Sequence, residues 1–317
     1  MKKLIRKITM LYKIRLIVSF LSGFNSKYSN NYSYLELWSM FIRGFIPETW
    51  TILNITKDNS NQYLSDFRRI VLPPNFERSD SHILDNKSKF NEFMSCYPQL
   101  KNKAVEEMET NKKYVIKPIK GLKGKGILFV TPTTHGYYIN NRLVKTLPDL
   151  SNSIIVPFIQ QEHFLESIYK TPNTVRVVTV KDPSSGLCHM HSALLRMGTK
   201  ASYPIDNYSQ GGCIAPINKE TGEIGVVNYV KDYFLCTGVH HPDSRVKVTG
   251  NKIKNWSDIN SEIIKVAESF DTTLIGWDII VTEDGFKIIE GNNKADMTVT
   301  QIGAPIYSNP ITSKLLR

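Results

Sequence analysis

Apolar and polar positions follow two regimes along the chain, and the change falls near Lys113. Before it, apolar residues recur at helical spacing. Leu4, Ile8 and Leu11 do so ahead of Arg15, and so do the apolar positions from Leu84 to Met94. Trp38, Phe41, Phe45 and Trp50 are expected to make a local core in a mainly helical, irregular region. Leu72-Pro73-Pro74-Asn75 then breaks the pattern. After Lys113 the apolar segments are short and β-rich. Strands are predicted over 114–118, 127–130, 154–159, 175–180 and 189–197, with a turn at 182–186. Two further apolar runs, 214–217 and 224–227, flank a turn at 218–222. A helix capped by Ser257 or Asp258 is predicted to run to about Phe270. The segments 274–281 and 286–290 make a hairpin around Glu283-Asp284-Gly285. Strands and helices mix without a strict β-α-β alternation, which predicts an α+β fold.

A chain of 317 residues is too long for one small core, so more than one subdomain is expected. The formal charge of +11 is unevenly placed: Lys2, Lys3, Arg6, Lys7, Lys13, Arg15 and Lys27 precede the first acid, Glu36. Basic residues gathered in one arm argue against a nucleic-acid-binding face. Cys96, Cys188, Cys213 and Cys236 form no C-x-x-C pair, which argues against a zinc knuckle or a redox motif. In the N-terminal segment the longest uncharged run, Leu16 to Phe24, is too short to span a bilayer. A basic, apolar helix over residues 1–24 suits either an anionic membrane surface or packing on its own domain. The expected location is cytoplasmic, or peripheral on the inner face of the cell membrane.

Several motifs could carry chemistry. Val115-Ile116-Lys117-Pro118 leads into Gly121-Leu122-Lys123-Gly124-Lys125-Gly126. A strand-end lysine and a glycine-rich loop can hold phosphate; the loop can equally be a plain hairpin connection. Asp278, Glu290 and Asn292 lie on two paired strands and can offer three hard oxygens to Mg²⁺. Their bland reading is a pair of solvent-facing acids. Arg176, after Asn173-Thr174-Val175, and Arg196 either pair with internal acids or bind an anion. Asp206-Asn207-Tyr208-Ser209-Gln210-Gly211-Gly212 permits close backbone approach to a ligand, or is simply a turn. His240-His241-Pro242-Asp243 reads as a substrate-side loop. Adjacent residues on a strand face opposite ways and would not share one ion.

In this order, the pieces resemble the ATP-grasp superfamily. Gly44-Phe45-Ile46-Pro47-Glu48, Leu84-Asp85-Asn86-Lys87, Asn173-Thr174-Val175-Arg176 and Gly276-Trp277-Asp278 look like its sugar-transfer-associated group. The resemblance runs from about residue 40 to 300. It implies two α+β lobes clasping Mg-ATP, with a small lobe over 81–153 and a large lobe over 154–317. A helical N-terminal region over 1–80 would precede them. It also implies that Lys87 and Lys117 contact phosphates, with Gly121, Lys123, Gly124, Lys125 and Gly126 as the lid over them. Pro157, Phe158 and Ile159 would hold adenine, Glu162 the ribose, and Asn207 would lie beside the nucleotide. Asp278, Glu290 and Asn292 would bind Mg²⁺, while Arg176 and Arg196 would stabilise transferred phosphate. Pro157 departs from the acidic or polar residue common at that hinge. The implied activity is ligation of a carboxylate to an amine through an acyl phosphate, on a small-molecule or lipid-linked glycan substrate. A phosphotransferase and a non-catalytic nucleotide-binding component of a glycan assembly complex are the alternatives.

Overall fold

The computed structural model describes residues 15, 17–71, 78–119, 126–140, 142–293 and 295–316. The chain divides into two compact units. One holds residues 76–227 and 238–295; the other gathers 1–75, 228–237 and 296–317.

The first of these contains two antiparallel sheets. Strands β1 (Tyr114–Pro118), β2 (Leu128–Thr133), β3 (Gly136–Ile139), β4 (Arg142–Val144) and β5 (Ser153–Pro157) form one sheet, in the order β4-β3-β2-β1-β5. Tyr114 and Ile116 are buried on one face of β1, so the alternation sends Val115 and Lys117 to the other. The second sheet is built on β6 (Thr174–Lys181), β7 (Cys188–Met197) and β8 (Cys213–Pro216). Strands β9 (Val227–Lys231) and β10 (Phe234–Gly238), which fall almost wholly in the other unit, pair as a hairpin. β11 (Leu274–Thr282) and β12 (Gly285–Asn292) complete the second sheet, where β8, β7, β6, β11 and β12 lie side by side. Its central strands are near-continuous apolar runs because both faces are covered. The helix Trp256–Glu268 contributes Ile259, Ile263, Val266 and Ala267 to that core. Its N-cap is Asn255, in the left-handed conformation at φ 55°, two residues before the serine and three before the aspartate the sequence suggests.

The segment after the helix Lys87–Phe93 joins the two sheets. Ile288 N donates to Leu100 O, and Val105 N donates to Ile155 O. The apolar spacing from Leu84 to Met94 predicts one helix, but the structure has two, Ser81–Leu84 and Lys87–Phe93. Asn86 divides them: its side-chain oxygen accepts from Ser88 N and Lys89 N, which starts the second helix afresh.

In the other unit, Gly44 ends the helix Tyr34–Arg43 at φ 78°, and Pro47 opens the helix Pro47–Ile52. Buried Asp66 ties this corner by accepting from Ile46 N and the Thr49 hydroxyl. The C-terminal segment returns here, where the Gln301 amide pairs with both backbone groups of Leu64. Phe45 and Trp50 are buried as expected, but Trp38 and Phe41 are exposed. Leu72-Pro73-Pro74-Asn75 and the early helical positions Leu4, Ile8 and Leu11 lie outside the described residues.

Candidate functional site

The strand register gathers the charged residues on one face of the second sheet. Glu290 lies opposite Asp278, Asp278 opposite Arg176, and Asn292 opposite Gly276. Arg196 lies opposite Thr174, two residues from Arg176 and therefore on the same face. The register of β11 and β12 shifts just after Asp278. Without that irregularity, residues on either side of it would not keep both their inward direction and their pairing.

The Asp278 carboxylate is fully engaged. Arg176 donates from Nε to Oδ1 at 2.5 Å and from Nη2 to Oδ2 at 3.0 Å. Arg196 Nη1 lies 3.2 Å from both oxygens. Arg196 Nη2 donates to Asp206 Oδ1 at 3.0 Å, and Asp206 Oδ2 accepts from Thr174 N and the Thr174 hydroxyl. Burial pushes the Asp278 carboxyl upward, but the two guanidinium groups outweigh it and hold the group below the usual carboxylate range. Burial likewise opposes the charge on Arg196, and Asp206 and Asp278 more than offset it, so its pKa is raised. From the sequence, Asp206 is only the head of a polar loop, with no partner assigned to it. Gly276 leaves room for this network, since a Cβ there would stand 3.2 Å from Arg176 Nη1.

Two lysines face the acidic end of β12. Lys87 Nζ is 3.3 Å from Glu290 Oε1. Lys117 projects from β1, and its pKa is lowered. Desolvation is the main cause, repulsion from Lys87 adds to it, and Glu290 and Asp278 oppose it. The Leu84-Asp85-Asn86-Lys87 stretch docks on the end of β12. Leu84 packs where Gly291 has no side chain, and Asp85 accepts from Asn293 Nδ2 at 3.2 Å. A narrow cleft opens beside the lysines. It is lined by Lys87 and Lys117, by Ile154 and Val156 of β5, and by Ile288 and Ile289 of β12, with Met94 and Asn102.

Other expected site residues are placed as follows. Gly121, Lys123, Gly124 and Lys125 lie outside the described residues, while Gly126 is described at φ 77°. Pro157 O accepts from Asn102 Nδ2, and the Lys113 ammonium stands 3.9 Å from the Phe158 ring centroid. Ile159 follows the strand. Glu162 caps the helix His163–Ile168, accepting from Phe164 N and Leu165 N through both oxygens, so its carboxylate is committed to the backbone. Asn207 accepts from Ser209, and Gly212 has no side chain because the Asn207 carbonyl passes there; a Cβ would meet it at 2.9 Å. That glycine serves its own loop. Buried Asn173 is held by Gln161, Leu165 and Gly198 and shapes the start of β6. His241 is likewise buried, bonded through Nε2 to Gly198 O and through Nδ1 to Ser244 N.

Glu290 and Asn292, two apart on one strand, share a face and offer oxygen donors suited to Mg²⁺. The Asn292 amide nitrogen is buried without a partner among the described residues. Asp278, expected as a third ligand, has each oxygen accepting from both arginines. No group of three or more His, Cys, Asp and Glu side chains able to hold a metal occurs among the described residues.

The chain matches the family described as sugar-transfer associated ATP-grasp over residues 72–309. It belongs to that family. No curated protein matches it. Among solved structures it is similar to an L-amino acid ligase from Bacillus licheniformis, at 12% identity and a TM-score of 0.42, covering 74% of this chain and 48% of that one. A biotin carboxylase from Campylobacter jejuni matches at 12% identity and 0.41, over 74% and 46%. A D-alanine–D-alanine ligase from Bacillus anthracis matches at 10% identity and 0.37, over 74% and 65%. The chain spans about half the length of the first two, and its family membership rests on the family match.

Proposed function

We propose that this chain binds Mg-ATP in the cleft beside Lys87 and Lys117 and uses it to join a carboxylate to an amine. One observation carries the reading: Lys87, paired with Glu290 at 3.3 Å, and Lys117 line one cleft together with Ile154, Val156 and Ile288. Apolar side chains next to concentrated positive charge suit a nucleotide base joined to phosphates. Lys87 and Lys117 would neutralise the phosphate oxygens as point charges. Glu290 and Asn292 would hold Mg²⁺, which supplies charge neutralisation at the phosphates. Asp278 acts differently in this proposal: it holds Arg176 and Arg196 in place on the same face.

The reaction runs in two displacements. A carboxylate oxygen attacks the γ-phosphorus, the bond from that phosphorus to the bridging oxygen breaks, and ADP leaves. An amine then attacks the acyl carbon, phosphate departs, and the amine proton passes to solvent or base. Arginines fixed beforehand by Asp278 and Asp206 need no reorganisation as charge develops, and such preorganisation is the main catalytic resource of a site of this kind. The family's association with sugar transfer favours a uronic acid or amino acid as the carboxylate, with a small-molecule or lipid-linked glycan as the setting.

The test is ADP release from the full chain against uronic acids, amino acids and nucleotide-sugars, each with and without amines. The expected result is ADP and free phosphate in equal amounts together with an amide. A phosphorylated product without free phosphate would replace ligation by phosphoryl transfer to a hydroxyl. Failure to bind ATP at all would reject the reading.

A further inference from the structure

The helix Tyr34–Arg43 turns its apolar side outward. Tyr34 is 92% exposed, Leu35 81%, Trp38 61% and Ile42 60%, while Ser39 and Met40 face inward. Helical spacing places residues 35, 38 and 42 in one stripe, with 34 and 41 beside them. Residues 17–22 are also helical and leave Ile17, Val18 and Leu21 exposed. The two stretches meet along an aromatic seam. Trp38 stacks on Phe41 at 5.6 Å between centroids, and Phe41 lies 6.0 Å from Phe20 and 5.8 Å from Phe24. A contiguous outward face of this kind is rare on a monomer unless something covers it.

Charge selects the occupant. In the sequence Lys2, Lys3, Arg6, Lys7 and Lys13 come first, then Arg15 and Lys27, both exposed, on either side of the exposed Ile17, Val18 and Leu21, and no acid occurs before Glu36. Glu36 itself is held at the helix start, where its carboxylate accepts from the Ser33 backbone and hydroxyl. An apolar stripe bearing tryptophan and tyrosine, in a sequence whose charged residues before Glu36 are all basic, is the chemistry of an anionic lipid surface. We propose that this face docks on an anionic membrane, with Leu35, Trp38 and Ile42 entering the headgroup–acyl boundary and the basic residues meeting the lipid charges. A face that lies flat in the interface needs no spanning segment, and no described helix is long and apolar enough to cross a membrane.

The experiment sediments the full chain with phosphatidylcholine vesicles, with and without phosphatidylglycerol, at low and high salt. No nucleotide is present, so the outcome is separate from the ligase reading. The chain is expected to pellet with the anionic vesicles and to be released by salt. The combined variant Leu35→Ser, Trp38→Ser, Ile42→Ser removes only exposed side chains. It should keep its melting temperature and lose more than about tenfold in vesicle affinity. Lys2→Glu, Lys3→Glu and Lys7→Glu together should weaken binding to anionic vesicles without changing the fold. The proposal is overturned if the unaltered chain stays in solution, or if either combined variant pellets as before. It is equally overturned if the unaltered chain is a dimer by light scattering and the serine variant is a monomer, because a second copy would then be the occupant.

Discussion

Arg176 and Asp278 stand directly opposite each other on neighbouring strands and close a doubly bonded pair, at 2.5 Å and 3.0 Å. Arg196 joins them from the next strand and is itself held by Asp206. Asp278→Asn keeps the shape of the side chain but removes the charge shared by two buried guanidinium groups. Leaving a buried charge without its partner costs about 3 to 5 kcal/mol. The shared Asp206 keeps Arg196 partly paired, so the expected loss is near the lower figure. Urea denaturation measures it. A variant as stable as the parent would show that the pairing contributes nothing to the fold.

Lys117 calls for a different substitution. Its position near Lys87 and its desolvation disfavour its charge until a polyanion arrives. Lys117→Met should therefore leave the free protein as stable as the parent, or more so, while weakening ATP. Losing one charge-assisted contact corresponds to about 10- to 100-fold in affinity. Calorimetric titration with a non-hydrolysable ATP analogue reads this directly. Unchanged affinity would remove Lys117 from the nucleotide site.

A glycine sets the position of the other lysine. A Cβ on Gly291 would come within 2.7 Å of Leu84 Cδ2, 3.1 Å of Phe90 and 3.3 Å of Trp277. Leu84 and Phe90 lie on the two short helices on either side of Asn86. Gly291→Ala should thus displace the helix that begins with Lys87. Overpacking of this kind costs about 1 to 3 kcal/mol. The informative measurement is KM for ATP, which should rise more than kcat falls. A variant with parental KM would show that the helix absorbs the methyl without moving Lys87.

How far these residues were legible in the sequence depends on what each one does. Asp278 and Glu290 stood out because acids interrupt apolar strands, and the hairpin spacing placed them opposite each other. Pairing alone could not say that arginines would occupy Asp278. That depends on β6 lying beside β11, a long-range neighbour relation with no local signal. The pairing of Asp206 with Arg196 stayed hidden for the same reason. Glu162 looked like a ribose contact by its place after the hinge, yet the two free N–H groups of a helix start compete for the same oxygens. Trp38 and Phe41 were expected inside because aromatics usually are. Composition does not reveal which side of an amphipathic helix finds a partner.

His241 supplies a pH dependence. The ring is buried and stacked on Tyr169, with centroids 5.1 Å apart. Nε2 donates to Gly198 O at 2.8 Å, while Nδ1 accepts from Asp243 N at 3.3 Å and Ser244 N at 3.2 Å. Nδ1 must keep its lone pair, because a proton there would oppose two N–H groups. Desolvation lowers the pKa below 6.5, and the bond to Gly198 and the charge of Asp243 only partly oppose it. The sign follows from which state binds the proton first. In the unfolded chain the imidazole protonates near 6.5, whereas in the folded chain it stays neutral to lower pH. Stability from this group is therefore complete above that pH and is lost as pH falls toward the folded value. His241→Phe sacrifices the hydrogen bonds, so it should melt lower at every pH, but with a smaller difference between about pH 7.5 and about pH 5.5. Melting curves of both proteins at the two pH values decide the matter. If the variant loses as much stability on acidification as the parent, the pH dependence arises elsewhere.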